Sequence, residues 1–379
     1  MNSHDKSLIS IEDLEVHFEN TSMLDAIIPS GIRKRLGIEE DPTVRAVDGV
    51  DLEIEDNDVI ALVGESGCGK TTLGKTVVGL QRPTGGSVKY RGHDIWKVRD
   101  GTAGSDTNIT FEKIRRSLQI IHQDPGAALN PYRLVLDNLA VPLKRWHPEL
   151  NYEERRGRIL NMLQRTGISP AEDYAERYVH QLSGGEKQRV ALIRALLVEP
   201  DVILADEAVS ALDVSLRIDV MDLFLEIQDI FDTSFVFISH DLANARYLAG
   251  KSGGKIAVMY LGEIVEIGTA DEIIKNPQHP YTKVLQWATP VLNPKQAEEA
   301  MREDPPVRNI DIPDATNPPS GCRFHTRCPE ARETCRREDP DPYGGGDAFH
   351  RTACFREVED HEYWQSEPLK EEVERTTQR

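Results

Sequence analysis

Five consecutive apolar residues, Val59–Val63 (VIALV), run directly into GESGCGKT at Gly64–Thr71. A short unbroken apolar run marks a strand buried on both faces. G-x-x-x-x-G-K-[ST] after such a strand and at the head of a helix is a phosphate-cradling loop. The helix is predicted too, because Lys70–Gly79 has helical apolar spacing. Glycines let the backbone wrap closely, and the amide N–H groups face an anion at the positive end of the helix dipole. Gly64, Glu65, Ser66, Gly67, Cys68, Gly69, Lys70, Thr71 and Thr72 are therefore the candidate nucleotide-binding wall. Lys70 is expected to reach the β- and γ-phosphates and the Thr71 hydroxyl to ligate Mg²⁺. Cys68 reads as a small residue tolerated in a tight turn.

A second apolar run, VILADE at Val202–Glu207, ends in two carboxylates. Asp206 is placed for the Mg²⁺ shell. Glu207 is placed to polarise an attacking water as general base. Strand-like segments (Leu8–Val16, Ala46–Ile54, Val59–Val63, Val202–Ala205, Ser234–Ser239) are mixed with helical ones (Lys70–Gly79, Asn151–Thr166, Gly184–Leu197, Ser215–Phe231). That alternation predicts an α/β fold with a mainly parallel sheet covered by helices. Glu19–Thr43 reads as an inserted loop with some helix, and 291–320 as a Pro- and acid-rich linker or wrapped segment. Glu367–Arg379 reads as a charged tail.

At 379 residues the chain can bury a substantial core without disulfides. Its formal net charge of −19 argues against non-specific nucleic-acid binding, because phosphate repulsion would have to be overcome. The opening MNSHDKSLIS has no apolar core of a secretory signal. No stretch approaches the ~18 apolar residues of a spanning helix, so a membrane role is expected only through a partner.

LSGGEKQR at Leu182–Arg189 lies between the phosphate loop and the VILADE strand. Ser183 before Gly184-Gly185 is a second anion-binding helix start. This segment resembles the signature motif of the ABC (ATP-binding cassette) ATPases, with Leu182, Ser183, Gly184, Gly185 and Glu186 at its positions. The resemblance covers about residues 8–290. It implies a P-loop NTPase (RecA-like) nucleotide-binding domain with an antiparallel β subdomain and a helical signature subdomain. It further implies that Gln123 (IIHQDP) is the glutamine that senses Mg²⁺ and water, and that Asp213 (SALD) belongs to the loop crossing between two cassettes. His240 (FVFISHD) becomes the switch histidine at the γ-phosphate, and Phe18 the aromatic that stacks on adenine. Catalytic roles then fall to Glu207, His240, Gln123 and Lys70, and Mg²⁺ contacts to Thr71, Gln123 and Asp206. Ala208 and His122 depart from the commoner Pro and Phe, and KSGGK at Lys251–Lys255 is less regular than in related chains.

VRAVDGVDLEI before the phosphate loop, QDPGAALNP and NPQHPYTKVLQWATP are similar to the ATPases of oligopeptide/dipeptide (peptide/nickel) importers. That likeness implies ATP-driven uptake of peptides or related small solutes at the cytoplasmic face of the cell membrane. The implied partners are two membrane permeases, a second related ATPase and an extracellular solute-binding protein. The expected division is 1–290 for the cassette and 291–379 for a cysteine-bearing extension. There Cys322, Cys328, Cys335 and Cys354 have the spacing C-x5-C-x6-C-x18-C, without the C-x2-C knuckles of most structural zinc sites. Four thiolates can also hold a [4Fe–4S] cluster, whose ligand spacing is more variable. The resemblance favours the cluster; zinc and free thiols stay open.

Overall fold

The computed structural model describes residues 7–19, 43–104, 107–289, 305–309, 311–343 and 350–369. Most of the expected insertion (20–42), part of the linker (291–304 and 310) and most of the charged tail (370–379) lie outside the described residues.

Two sheets carry the fold. Their strands are β1 (Ile9–Glu19), β2 (Thr43–Ile54), β3 (Val59–Val63), β4 (Gly85–Tyr90), β5 (His93–Asp94) and β6 (Leu118–Ile121), then β7 (Val202–Asp206), β8 (Ser234–Ser239), β9 (Lys255–Tyr260), β10 (Glu263–Thr269) and β11 (Arg351–Thr352). The larger sheet has the order β11-β10-β9-β3-β8-β7-β6, and the smaller β2-β1-β4-β5. β9, β3, β8, β7 and β6 run parallel. β10 and β11 add antiparallel, and every described pairing in the smaller sheet is antiparallel.

The unbroken apolar strands are explained by cores on both faces. In β3, Val59, Ala61 and Val63 join the core beneath the helices, while Ile60 and Leu62 join the core shared with the smaller sheet. β8 divides the same way, with Phe235 and Phe237 on one face and Val236 and Ile238 on the other. Each Val, Ile, Leu or Phe among them contributes about 1.5–3 kcal/mol on burial, so a polar residue is costly at any of these positions.

Between β6 and β7 the chain forms a helical region of Val135–Trp146, Tyr152–Arg165, Ala171–Ala175 and Gly184–Leu196. The second of these starts at a capping box, in which Asn151 and Glu154 satisfy each other's backbone N–H groups.

The extension is docked on the larger sheet. β11 pairs with β10 through Thr352 opposite Glu266 and Arg351 opposite Ile267. Phe324 and Ala331 enter the helix-side core, where Phe324 packs on Tyr260 and Tyr281 at centroid distances of 5.2 and 5.4 Å. The buried Glu266 carboxylate accepts hydrogen bonds from the Gln278 and His279 amides and pairs with His350 of the extension at 2.7 Å. Among the described residues no helix is long and apolar enough to cross a membrane.

Candidate active site

Strand order creates the site. β3, β8 and β7 are adjacent and parallel, with Val63 opposite Ser239 and Asp206 opposite Ile238. The loops leaving their C-terminal ends therefore open on one edge of the sheet, where ligands bind in open α/β folds. Those loops carry Gly64–Thr71, Glu207 and His240.

The phosphate loop leads into the helix Lys70–Val77 without a side-chain cap. Gly69 sits there at φ 108°, and a Cβ on it would lie 1.9 Å from the Ala46 carbonyl oxygen. Only glycine fits so close an approach. The contact also brings β2 against the loop. Phe18, paired with Val44 on that strand, is 42% exposed. Lys70 is buried, and its ammonium donates to the Gly64 and Glu65 carbonyls, each at 2.8 Å. The neighbouring Cys68 thiol is pushed above its usual range by burial. That favours the neutral thiol of a packed turn residue.

Thr71 and Asp206 meet directly, the hydroxyl donating to Oδ1 at 2.9 Å. Two hard oxygen donors on separate elements suit Mg²⁺. Glu207 follows with φ 49°, its N–H donating to the Ile238 carbonyl at 3.2 Å. His240 Nδ1 is 3.5 Å from Glu207 Oε2. Gln123 reaches the same spot indirectly. Its Nε2 donates to Ser210 Oγ at 3.2 Å, and Ser210 Oγ donates to the Glu207 carbonyl at 2.8 Å. Lys70, Thr71, Asp206, Glu207, His240 and Gln123 are thus joined at one sheet edge.

The signature residues are built otherwise. Ser183 caps the helix Gly184–Leu196 in a capping box with Glu186, whose carboxylate accepts the Ser183 N–H at 2.7 Å. Tyr174 donates to the other Glu186 oxygen at 2.6 Å. Leu182 and Gly185 are buried, whereas Ser183 and Gly184 are exposed. Asp213 caps the helix Val214–Phe231 through the Leu216 N–H at 3.1 Å. Among the described residues, no hydrogen bond or ion pair joins Leu182–Glu186 to the phosphate loop.

Three contributors went unassigned in the sequence. Ser210 lies inside SALD, but its bridging role needs β7 and β6 side by side. Tyr281 accepts the Glu65 N–H at 2.8 Å, and the Arg327 guanidinium binds the Glu65 carboxylate at 2.8 and 3.0 Å. No local pattern marks either residue.

The four C-terminal cysteines are free thiols and line one small pocket with His279, Phe355 and Tyr363. Burial and the nearby thiols push Cys322 well above the ordinary thiol range. Burial pushes Cys328 up to about 12 and Cys354 up to about 11. Among the described residues, no group of three or more His, Cys, Asp or Glu is arranged to hold a metal ion.

A parallel sheet with these loops at one edge, flanked by an antiparallel sheet and a helical region, defines a P-loop nucleotide-binding domain of the ABC class. Comparison with known proteins agrees. The family model described as ABC transporter matches residues 47–210. That described as oligopeptide/dipeptide transporter, C-terminal region, matches residues 265–335. The dipeptide transport ATP-binding protein DppF of Haemophilus influenzae is 41% identical over 85% of this chain and 93% of its own. The oligopeptide transport ATP-binding protein OppF of Salmonella typhimurium is 37% identical over 93% of this chain and 96% of its own. Among solved structures, the dimeric bacterial ABC transporter cassette MJ0796 matches with a TM-score of 0.53 and 26% identity, over 69% of this chain and 98% of that one. The structure of cbiO1 from Clostridium perfringens, at TM-score 0.57 and 22% identity over 79% of this chain and all of that one, supports the fold alone. The chain belongs to the oligopeptide/dipeptide group of ABC transporter ATP-binding proteins, the subunits that hydrolyse ATP to drive import through membrane permeases.

Proposed function

We propose that this chain powers uptake of peptides or similar small solutes as one of two related cassettes beneath a pair of permeases. The observation that carries the reading is the convergence of Lys70, Thr71, Asp206, Glu207, His240 and Gln123 at one sheet edge. ATP sits between this phosphate loop and the signature motif of the second cassette, with Phe18 against the adenine, while this chain's Leu182–Glu186 face the second cassette's phosphate loop in turn. Lys70 exchanges its carbonyl partners for phosphate oxygens, which are stronger acceptors because they are charged. Thr71, Asp206 and Gln123 would hold Mg²⁺, which would supply neutralisation of phosphate charge when bound. Glu207 takes the proton of the attacking water, and His240 and Lys70 stabilise charge on the departing phosphoryl group. Ser210 keeps Gln123 in register with Glu207.

The division is 1–290 for the cassette and 291–379 for the extension. A groove of about 710 Å³, lined by Phe111, His122, Val141, Trp146 and Arg194 beside Gln123, suits a permease segment at the cytoplasmic membrane face. Asp213 and the exposed Val214 suit the crossing to a related, non-identical cassette. An extracellular solute-binding protein completes the importer.

Cys322, Cys328, Cys335 and Cys354 are the residues that would hold a [4Fe–4S] cluster, drawing closer within their pocket to do so, because as placed they do not form a ready ligand group. Their shared pocket and freedom from disulfides suit an all-sulfur donor set. Bound there, the cluster supplies a four-point cross-link and a one-electron couple. Anaerobic purification should give brown protein containing iron and sulfide; colourless, iron-free protein rejects it.

The decisive test of the motor is Glu207→Gln in the assembled importer. ATP binding should persist while turnover falls about 10²–10⁴-fold, the usual contribution of a general base. Unimpaired turnover overturns the assignment.

A further inference from the structure

Glu65 is the second residue of the phosphate loop, and it is held from three directions. Its carbonyl accepts from Lys70, a local contact. Its N–H donates to Tyr281 at 2.8 Å, and its carboxylate takes both ends of a guanidinium from Arg327, 262 residues away. The Arg327 side chain is 5% exposed and lies among aromatic rings, 5.7 Å from the Phe324 centroid and 5.8 Å from that of Tyr260. It is carried by the extension, between Cys322 and Cys328. Next to it, Arg323 anchors the same segment to Asp48, to the Leu261 carbonyl and, at 2.6 Å, to Glu263.

A carboxylate is an awkward group to have in a loop that must close around a triphosphate. Left bare, Glu65 would repel the ligand, and in a partly desolvated site that repulsion is poorly screened. A paired guanidinium cancels the charge, and its two parallel bonds fix the direction of the carboxylate. Tyr281 fixes the backbone of the same residue. The extension thereby presses on the loop at its one acidic position.

We propose that Arg327 is a positioning residue for ATP: by pairing with Glu65 it neutralises and pins the phosphate loop, which makes the C-terminal extension a working part of the nucleotide site. This rests on Gly64–Thr71 being the ATP site.

The experiment is a double-mutant cycle in the full-length chain, read as affinity for a fluorescent ATP analogue, with KM and kcat measured in the assembled importer. Arg327→Met should weaken ATP binding about tenfold, equivalent to ~1.4 kcal/mol. It should raise KM to match, with kcat little changed. In a Glu65→Gln background the same change should cost less than twofold, because no carboxylate remains to be exposed. Arg327→Lys keeps the charge but cannot bridge both oxygens, and should lose about threefold. Equal losses in both Glu65 backgrounds, or a folded Arg327→Met with native affinity, overturn the proposal. Should Arg327→Met melt too early to assay, native affinity in Arg327→Lys overturns it instead. A native chain that does not bind the analogue, or a Lys70→Ala chain that binds it equally well, instead rejects the ATP-site assignment itself.

Discussion

Two helices of this protein start on glycine-rich turns, and their starts are chemically opposite. Lys70–Val77 begins at Gly69 with no side-chain cap and no acidic residue in its first turn. Gly184–Leu196 begins at Ser183 with a closed capping box and Glu186 in its first turn. An uncapped start leaves backbone donors for an anion and supplies Lys70 to meet it. A capped start satisfies part of its donor set internally and keeps a carboxylate close by. The first helix can therefore bind phosphate within one chain. The second satisfies its own start internally, in keeping with the role proposed for it at a ligand held by another cassette.

The sharpest break of this comparison is Lys70→Ala. If the open helix start is the primary anion site, ATP affinity of the isolated chain should fall about a hundredfold, ~2.7 kcal/mol, near the upper range for a charged hydrogen-bonding group. Equilibrium binding of an ATP analogue checks it. Next in size is Ser183→Ala. Loss of the cap should cost about 1 kcal/mol of stability, seen as a lowered melting temperature. Single-chain ATP binding should shift less than twofold, while turnover of the assembled cassette pair falls at least tenfold. A strong loss of single-chain binding would erase the distinction between the two helix starts.

The smallest effect is on pH dependence. The Tyr174 hydroxyl bond leads in holding Glu186 below the usual carboxylate range; burial works against it, and the Ser183 bonds reinforce it. A carboxyl depressed in the folded state binds fewer protons there than in the unfolded chain. Its stabilisation is therefore present above about pH 4.5 and is lost as pH falls through the folded value. Glu186→Gln should flatten the melting temperature against pH below that point.

Local order was readable where a short segment carries its own cause. The apolar runs of β3, β7 and β8, the Gly-Lys-Thr helix start and the Ser183 cap follow from neighbouring residues alone. Gln123 and His240 were reached through family resemblance, since neither a lone glutamine nor a histidine after a strand declares a role. The contacts that make them useful, Gln123 to Ser210 and His240 to Glu207, come from strand order. β6 pairs with β7 and β7 with β8, although the first pair's starts lie 84 positions apart and the second's 32. No periodicity encodes which strand lies next to which.

Sequence by itself determined the chemistry available: a phosphate loop, two carboxylates after a buried strand, a second glycine-led helix start and four cysteines near the C-terminal end. These are local, because hydrogen bonding and side-chain volume act over a few residues. Tertiary structure alone decided that Arg327 meets Glu65, that Tyr281 receives its N–H, and that the four thiols face one pocket. Those meetings depend on which apolar faces are buried together, a property of the whole chain, and only after that burial do charges so distant in sequence come within bonding range.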